Sequence, residues 1–259
     1  MNLIVIGDIV GRPGRRAIKN LLPRLKEEFQ ISFTIANAEN ASGGRGLSWD
    51  VANELIGYGI DVLTMGNHVW DNKELLTFID DMPQIIRPAN YPEPCPGHGY
   101  EFFDVGLKKI AVINLSGRVY LNDLDCPFRK INDIIHNIKA LAHIIIVDFH
   151  AEATSEKLAL AHFVDGQVTA VLGTHTHIQT ADEQILSKGT AYITDLGMTG
   201  PIDSVLGMDK NMVLQKFLTQ RPVRLDVAKG KAQIQGVVLE IDELTNSVTR
   251  IQRFSRIVE

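Results

Sequence analysis

Five short apolar runs in this chain end at residues that bind metal ions. Residues 3–6 run into Gly7-Asp8, 33–38 into Glu39-Asn40, and 62–65 into Gly66-Asn67-His68; 144–149 run into His150, and 168–172 into Gly173-Thr174-His175-Thr176-His177. Asp8, Glu39, Asn40, Asn67, His68, His150, His175 and His177 thus offer carboxylate oxygens, amide oxygens and imidazole nitrogens, without thiolate. Such a set suits Mn, Fe or Zn at a catalytic site better than a closed structural zinc. It exceeds what one tetrahedral ion takes and fits two ions sharing a carboxylate. Two metals about 3.5–4 Å apart clamp phosphate oxygens and lower the pKa of a bound water. Two carboxylates against two divalent ions leave the site net positive, able to attract a phosphate anion.

Each piece has a plainer reading. Asp8 could cap the helix that follows, Glu39-Asn40 could form a turn into Ala41-Ser42-Gly43-Gly44, and Gly66-Asn67-His68 could be a strand-to-helix turn. His150 could be an ordinary strand-end hydrogen-bonder. The His-x-His pair is the sharpest local signal, because two imidazoles on one side of an extended segment reach one point. The strand-end position shared by every candidate favours a site.

Runs this short, rich in Ile and Val and bounded by Gly or polar residues, read as buried strands. Ligands of α/β folds sit beyond the carboxyl ends of strands, so five strands in one sheet would bring all eight residues to one rim. Gly11-Arg12-Pro13-Gly14 opens a helix over 15–29, with Pro13 where a missing N–H is no loss. Further helices are expected from Ser48 to near Gly57 and over 71–81, 124–140, 155–163 and 210–219. This alternation favours a parallel sheet with right-handed crossovers. The proline-rich stretch 83–99 reads as an irregular connection, 100–105 with 109–115 as a hairpin, and 190–194 as a strand. Period-two patterns at 223–227, 232–241 and 248–254 predict antiparallel strands with one wet face. One domain over residues 1–259 is expected, with two sheets, parallel first and largely antiparallel later.

The chain has 259 residues, 45 % hydrophobic and 22 % charged, enough to bury a core without staples. No apolar stretch approaches the roughly 20 residues of a membrane helix, and the start lacks the basic region of a signal peptide. Cys95 and Cys126 are too few for a disulfide framework, which makes the cytoplasm the simplest location. A net charge of −5 gives no broad attraction to nucleic acid.

In order along the chain, Gly-Asp, a second acidic strand end, Gly-Asn-His, a lone strand-end His and Gly-Thr-His-Thr-His resemble the calcineurin-like metallophosphoesterases. More closely, Ile-Gly-Asp-Ile-Val-Gly-Arg-Pro-Gly-Arg (6–15), Asn-Ala-Glu-Asn-Ala-Ser-Gly-Gly (37–44), Val-Asp-Phe-His-Ala-Glu-Ala-Thr-Ser-Glu-Lys (147–157) and Asp-Leu-Gly-Met-Thr-Gly-Pro (195–201) resemble the bacterial YmdB-type phosphodiesterases. The resemblance implies a four-layer αββα sandwich of two mixed sheets flanked by helices. It also implies hydrolysis of phosphodiesters such as 2′,3′-cyclic nucleotides by a metal-bridging hydroxide that attacks phosphorus. Two divalent or mixed-valence ions (Fe, Mn or Zn) are implied, one on Asp8, Glu39, Asn40 and His177, the other on Glu39, Asn67, His150 and His175. Glu39 would bridge them, and His68 would protonate the leaving oxygen. An RNA-derived substrate and a homo-oligomer also fit this reading.

The chain departs from the wider superfamily. Most members carry Asp-x-His on the first strand, where this chain has Val10, and bridge with Asp, where it has Glu39-Asn40. The YmdB-type group shares both changes. Arg87, Asn90 and Arg118 are candidates to touch substrate, with a solvated side chain as the default. Glu152, Thr154 and Glu156 could orient imidazoles or cap a helix, and Arg12, Arg15, Arg16 and Lys19 read as a solvated face. Two other readings stay open. One is a metal amidohydrolase on a (β/α)₈ barrel, which the Gly-Asp first strand and antiparallel tail disfavour. The other is a nucleotide-binding regulatory protein with little turnover.

Overall fold

Along the apolar runs, even and odd residues point to opposite sides, and both sides are buried. In the computed structural model, which describes residues 1–258, this places two packed sheets back to back with helices outside. The chain begins β1 (Asn2–Ile6), β2 (Asp8–Ile9), α1 (Gly11–Glu28), β3 (Ile31–Asn37), α2 (Trp49–Gly57), β4 (Val62–Thr64) and β5 (Ile85–Ile86). It continues through β6 (Tyr100–Val105), β7 (Lys108–Ser116), α3 (Pro127–Ile138), β8 (Ile144–His150), α4 (Thr154–Phe163) and β9 (Ala170–Thr174). Then come β10 (Gln184–Ile185), β11 (Ala191–Ile193), β12 (Met198–Pro201), α5 (Lys210–Thr219), β13 (Ala232–Ile241) and β14 (Val248–Val258).

The first sheet runs β2-β12-β13-β1-β3-β4-β5, with β14 on β13; the second runs β10-β11-β9-β8-β7-β6. The five strands that end at candidate ligands therefore do not share one sheet. Strands β1, β3 and β4 belong to the first, β8 and β9 to the second, and the parallel strands of both deliver their carboxyl ends to a common rim. The expected division into a parallel sheet and an antiparallel one is also corrected. Antiparallel β13 pairs with β1 inside the first sheet, and most of the second sheet is parallel. These two open sheets rule out a closed (β/α)₈ barrel.

Three apolar layers follow the period-two rule. Leu3, Val5, Phe33, Ile35 and Val62 meet Ile144, Ile146, Ala170 and Leu172 between the sheets. On the outer faces, Ile4 and Ile6 pack on α1 and α2 through Ile18, Leu22 and Leu55, while Ile145 and Val147 pack on α3 and α4 through Ile131, Ile135 and Leu160. The same parity carries polar residues into the inter-sheet layer near the rim. Asn37, Thr64, Asp148 and Thr174 continue the inward-facing series of their strands and bond to one another. The Asp148 carboxylate accepts from Asn37 Nδ2 (3.1 Å) and Thr64 Oγ1 on one sheet and from Thr174 Oγ1 (2.7 Å) on the other.

Several local expectations shift. Residues 71–81 form two short 3-10 turns, Lys73–Thr77 and Ile79–Asp81, because Asn72 caps a turn only five residues long and Phe78 breaks it. Residues 223–227 form no strand, and Val227 makes only an isolated bridge to Met208. The 83–99 connection is irregular apart from β5, which adds an edge to the first sheet. None of the helices among the described residues is long and apolar enough to cross a membrane.

Candidate metal centre

Seven of the eight sequence candidates meet at the rim through side-chain atoms, and His68 borders the same cleft. His150 ends β8 and is fully buried. Its Nε2 lies 3.1 Å from Glu39 Oε1, 2.9 Å from Asn67 Oδ1 and 3.0 Å from His175 Nδ1. Four donor atoms thus converge on one point. On the far side of Glu39, Asn40 Nδ2 is 3.1 Å from the same Glu39 Oε1 and 3.3 Å from His177 Nε2, which is itself 3.8 Å from Asp8 Oδ1. Glu39 Oε1 stands between the two groups. The Asn40 amide presents its nitrogen here, and a half-turn about its last torsion presents the oxygen.

The tautomer of His150 follows from its neighbours. The Thr174 hydroxyl has one proton, which it gives to Asp148; it must therefore accept from His150 Nδ1, 2.9 Å away. The metal-facing Nε2 keeps its lone pair when the ring is neutral, the usual arrangement behind an imidazole ligand. His175 has a parallel arrangement, with Nδ1 toward the site and Nε2 3.1 Å from Glu152 Oε2.

Burial works against every charge here. It pushes the Asp8 carboxyl up to about 6, opposed by His177 and His150. Burial likewise disfavours ionised Glu39, but the charge and hydrogen bond of His150 and the His68 backbone N–H overcome it and hold Glu39 at about 2. For His150 the cost of burial is exceeded by Glu39, then by Asp8 and Asp148, and the ring rises to about 9. His175 is held down at about 3 by burial and by the charge on His150. Asp8 Oδ1 is fully buried with no hydrogen-bond partner among the described residues, while Oδ2 accepts from His175 N at 3.1 Å. An orphaned carboxylate oxygen is costly in such a place. A cation removes that cost, and the oxygen and nitrogen donor set around it suits a divalent one.

The loop carrying the His-x-His pair is strained. His175 has φ 103° and His177 φ 65°, both in the left-handed region where side chains with a Cβ are disfavoured. Between them Thr176 N donates to Asp195 Oδ2 (3.0 Å), and that oxygen also pairs with Lys157 Nζ at 2.8 Å. Both side chains of this ion pair are fully buried. Sequence reasoning missed Asp148, Thr174, Lys157 and Asp195, although each lies within or beside a quoted motif.

The remaining candidates separate cleanly. Glu152 is confirmed as a partner of an imidazole, whereas Glu156 anchors the Arg118 and Val119 backbone, and Thr154 makes no cap. Arg87 is not solvated: it is buried and donates to the carbonyls of Pro88, Cys95 and Pro96. Asn90 is buried against Ser116 and Asp125. Arg118 stays exposed, and Arg15 leaves the solvated face to bind Glu54 and the Ala41 carbonyl.

The sequence model of the YmdB-like protein family matches residues 4–254. The chain belongs to this family. A Bacillus subtilis relative named 2′,3′-cyclic-nucleotide 2′-phosphodiesterase is 51 % identical over 98 % of this chain and 96 % of its own. Among solved structures, a Thermus thermophilus protein without assigned function has a TM-score of 0.94 at 38 % identity, covering 99 % of each chain. A Mycoplasma pneumoniae structure described as a novel phosphatase also scores 0.94, at 36 % identity, covering 99 % of this chain and 93 % of its own. YmdB-like membership and the two-sheet architecture agree with the metallophosphoesterase fold expected from the motifs.

Proposed function

We propose that this chain is a single-domain, metal-dependent phosphodiesterase that opens 2′,3′-cyclic nucleotides to phosphomonoesters. The observation that carries the reading is the double convergence around Glu39 Oε1, with the orphaned Asp8 Oδ1 beside it. The name of the Bacillus subtilis relative supports the substrate. Asp8, Glu39, Asn40 and His177 would hold one ion, and Glu39, Asn67, His150 and His175 the other, with iron, manganese or zinc fitting the donors. When bound, such ions supply charge stabilisation to phosphoryl oxygens and acidify water.

The protein's own groups set up the rest. Asp71 Oδ2, 2.9 Å from His68 Nδ1, fixes the ring and leaves Nε2 to carry the proton delivered to the departing ester oxygen. The His68 N–H holds Glu39 Oε2 at 2.9 Å, tying the proton donor to the bridging carboxylate. Glu152 and Thr174 orient the two imidazoles. Two cysteines free of disulfide fit a reducing cytoplasm.

The substrate is tested by offering 2′,3′-cyclic AMP, 3′,5′-cyclic AMP and a phosphomonoester to metal-loaded protein. Preference for the 2′,3′ ring is expected. Metal binding without turnover of any ester would favour the regulatory reading.

Metal uptake should release protons. His150, raised to about 9, is protonated at neutral pH, and its Nε2–H occupies the point where the donors converge. Uptake near pH 7 is therefore expected to release about one proton per chain, with affinity rising as pH climbs toward 9. Titration calorimetry in buffers of different ionisation enthalpy reads this directly, and heats independent of buffer would refute it.

Gly66 admits no side chain, because a Cβ there would collide with Glu39 Oε2 and the His150 ring. Gly66→Ala is expected to displace both ligands and lower turnover by about 10²-fold while the far-UV spectrum stays unchanged. Turnover near that of the unaltered chain would contradict the placement of these residues.

A further inference from the structure

The cleft over the metal centre, about 290 Å³, is bordered by Glu39, His68, His175 and His177, and its outer wall is Gly44, Arg45, Met208 and Leu225. Those four residues also line a second hollow of about 370 Å³ that adds Lys216 and Arg224. Across Gly43 that hollow meets a third, about 520 Å³, bordered by Arg12, Arg16 and Lys229. The three form one path leading out of the site. Six cations flank it against two carboxylates that are not candidate ligands, Glu152 and Asp226, on a chain whose net charge is −5. None of the six has an ion-pair partner among the described residues, and Arg16 donates to the Gly230 carbonyl on the path's own wall. The path has no aromatic side chain, so it offers charge without a stacking platform.

We propose that this path binds the sugar-phosphate backbone of an RNA strand whose 3′ end carries the 2′,3′-cyclic phosphate seated at the metal centre. The proposal rests on the phosphodiesterase reading and deepens it. A mononucleotide has one phosphate and would use only the centre, whereas successive backbone phosphates upstream of a strand's end would meet Arg45, then Lys216 and Arg224, then Arg12 and Arg16. Recognition would be tolerant of sequence, because no group in the path is placed to read bases. Hydrolysis would place the oxygen of water on phosphorus and break one ring P–O bond, and the freed ribose hydroxyl would take the proton. The reaction that supplies such ends is transesterification of RNA by the neighbouring 2′-hydroxyl, which places this enzyme downstream of RNA cleavage.

The test compares a hexaribonucleotide ending in a 2′,3′-cyclic phosphate with 2′,3′-cyclic AMP, using metal-loaded protein and its Arg12→Glu/Arg224→Glu variant. Binding of a fluorescent hexamer with a 3′-hydroxyl is measured in parallel across salt. The hexamer is expected to be favoured in kcat/KM by about tenfold or more, with that ratio falling by a similar factor in the variant. Its binding should weaken with a log–log salt slope of about −2, for roughly three neutralised phosphates. Equal kcat/KM for the two substrates in both proteins, or binding indifferent to salt, would overturn the proposal. Salt-dependent hexamer binding that the variant loses, without turnover of any ester, would keep the path and discard the phosphodiesterase reading. Capture of an acidic peptide with no affinity for the hexamer would also overturn it.

Discussion

His68→Ala is expected to lower kcat/KM for 2′,3′-cyclic AMP by about 10²–10⁴-fold, the range for loss of a positioned proton donor. Metal content should stay at the level of the unaltered chain. The two readouts separate because the residue touches the centre in two ways. Its ring is held by Asp71 and faces the cleft, while its contact with Glu39 Oε2 is made by the backbone N–H, which alanine retains. Metal analysis beside steady-state kinetics checks both. Loss of metal together with activity would make His68 a structural support rather than a proton donor. Asp71→Asn should give a smaller fall, since it leaves the imidazole in place and loosens only its orientation.

Lys157→Met is expected to cost about 3–5 kcal/mol of stability, the usual consequence of removing one partner from a buried ion pair. Asp195 would be left charged at a position without solvent, with only the backbone N–H groups of Thr176 and Gly197 to satisfy it. The damage would reach the centre, because Thr176 sits between His175 and His177 and its bond to Asp195 restrains a loop already in left-handed backbone. Urea denaturation of the metal-free protein measures the loss. Adding Asp195→Asn should recover part of it by removing the orphaned charge. A loss below about 1 kcal/mol would show that the pair is not an anchor.

Much of the site was legible because its residues stand directly at the ends of apolar runs, which were short, rich in Ile and Val and bounded by Gly or polar residues and so read as buried strands. The runs did not reveal which sheet each strand joins. Parity within a strand is local, whereas the assignment of β8 and β9 to a second sheet depends on β7 pairing with β8 across a connection of 27 residues, 117–143. Lys157 and Asp195 were illegible for a related reason: a lysine in a helix reads as solvated unless a carboxylate 38 positions away is known to face it. Arg87 misled likewise, since the carbonyls that bury it come from an irregular proline-rich loop whose path periodicity does not record. Residues 71–81 had helical composition, but a turn capped by Asn72 gave 3-10 geometry; the tight turn just before it, closed by the Asp71 N–H donating to the His68 carbonyl, brings Asp71 close to His68.

The central claim is that two ions on this rim make the chain a phosphodiesterase. The most direct measurement is turnover of 2′,3′-cyclic AMP by metal-stripped protein as Mn²⁺ is returned, with bound metal counted per chain. The account predicts no turnover in the stripped protein and a plateau reached at about two ions per chain. Full turnover by stripped protein, or a plateau reached with a single ion, would contradict it.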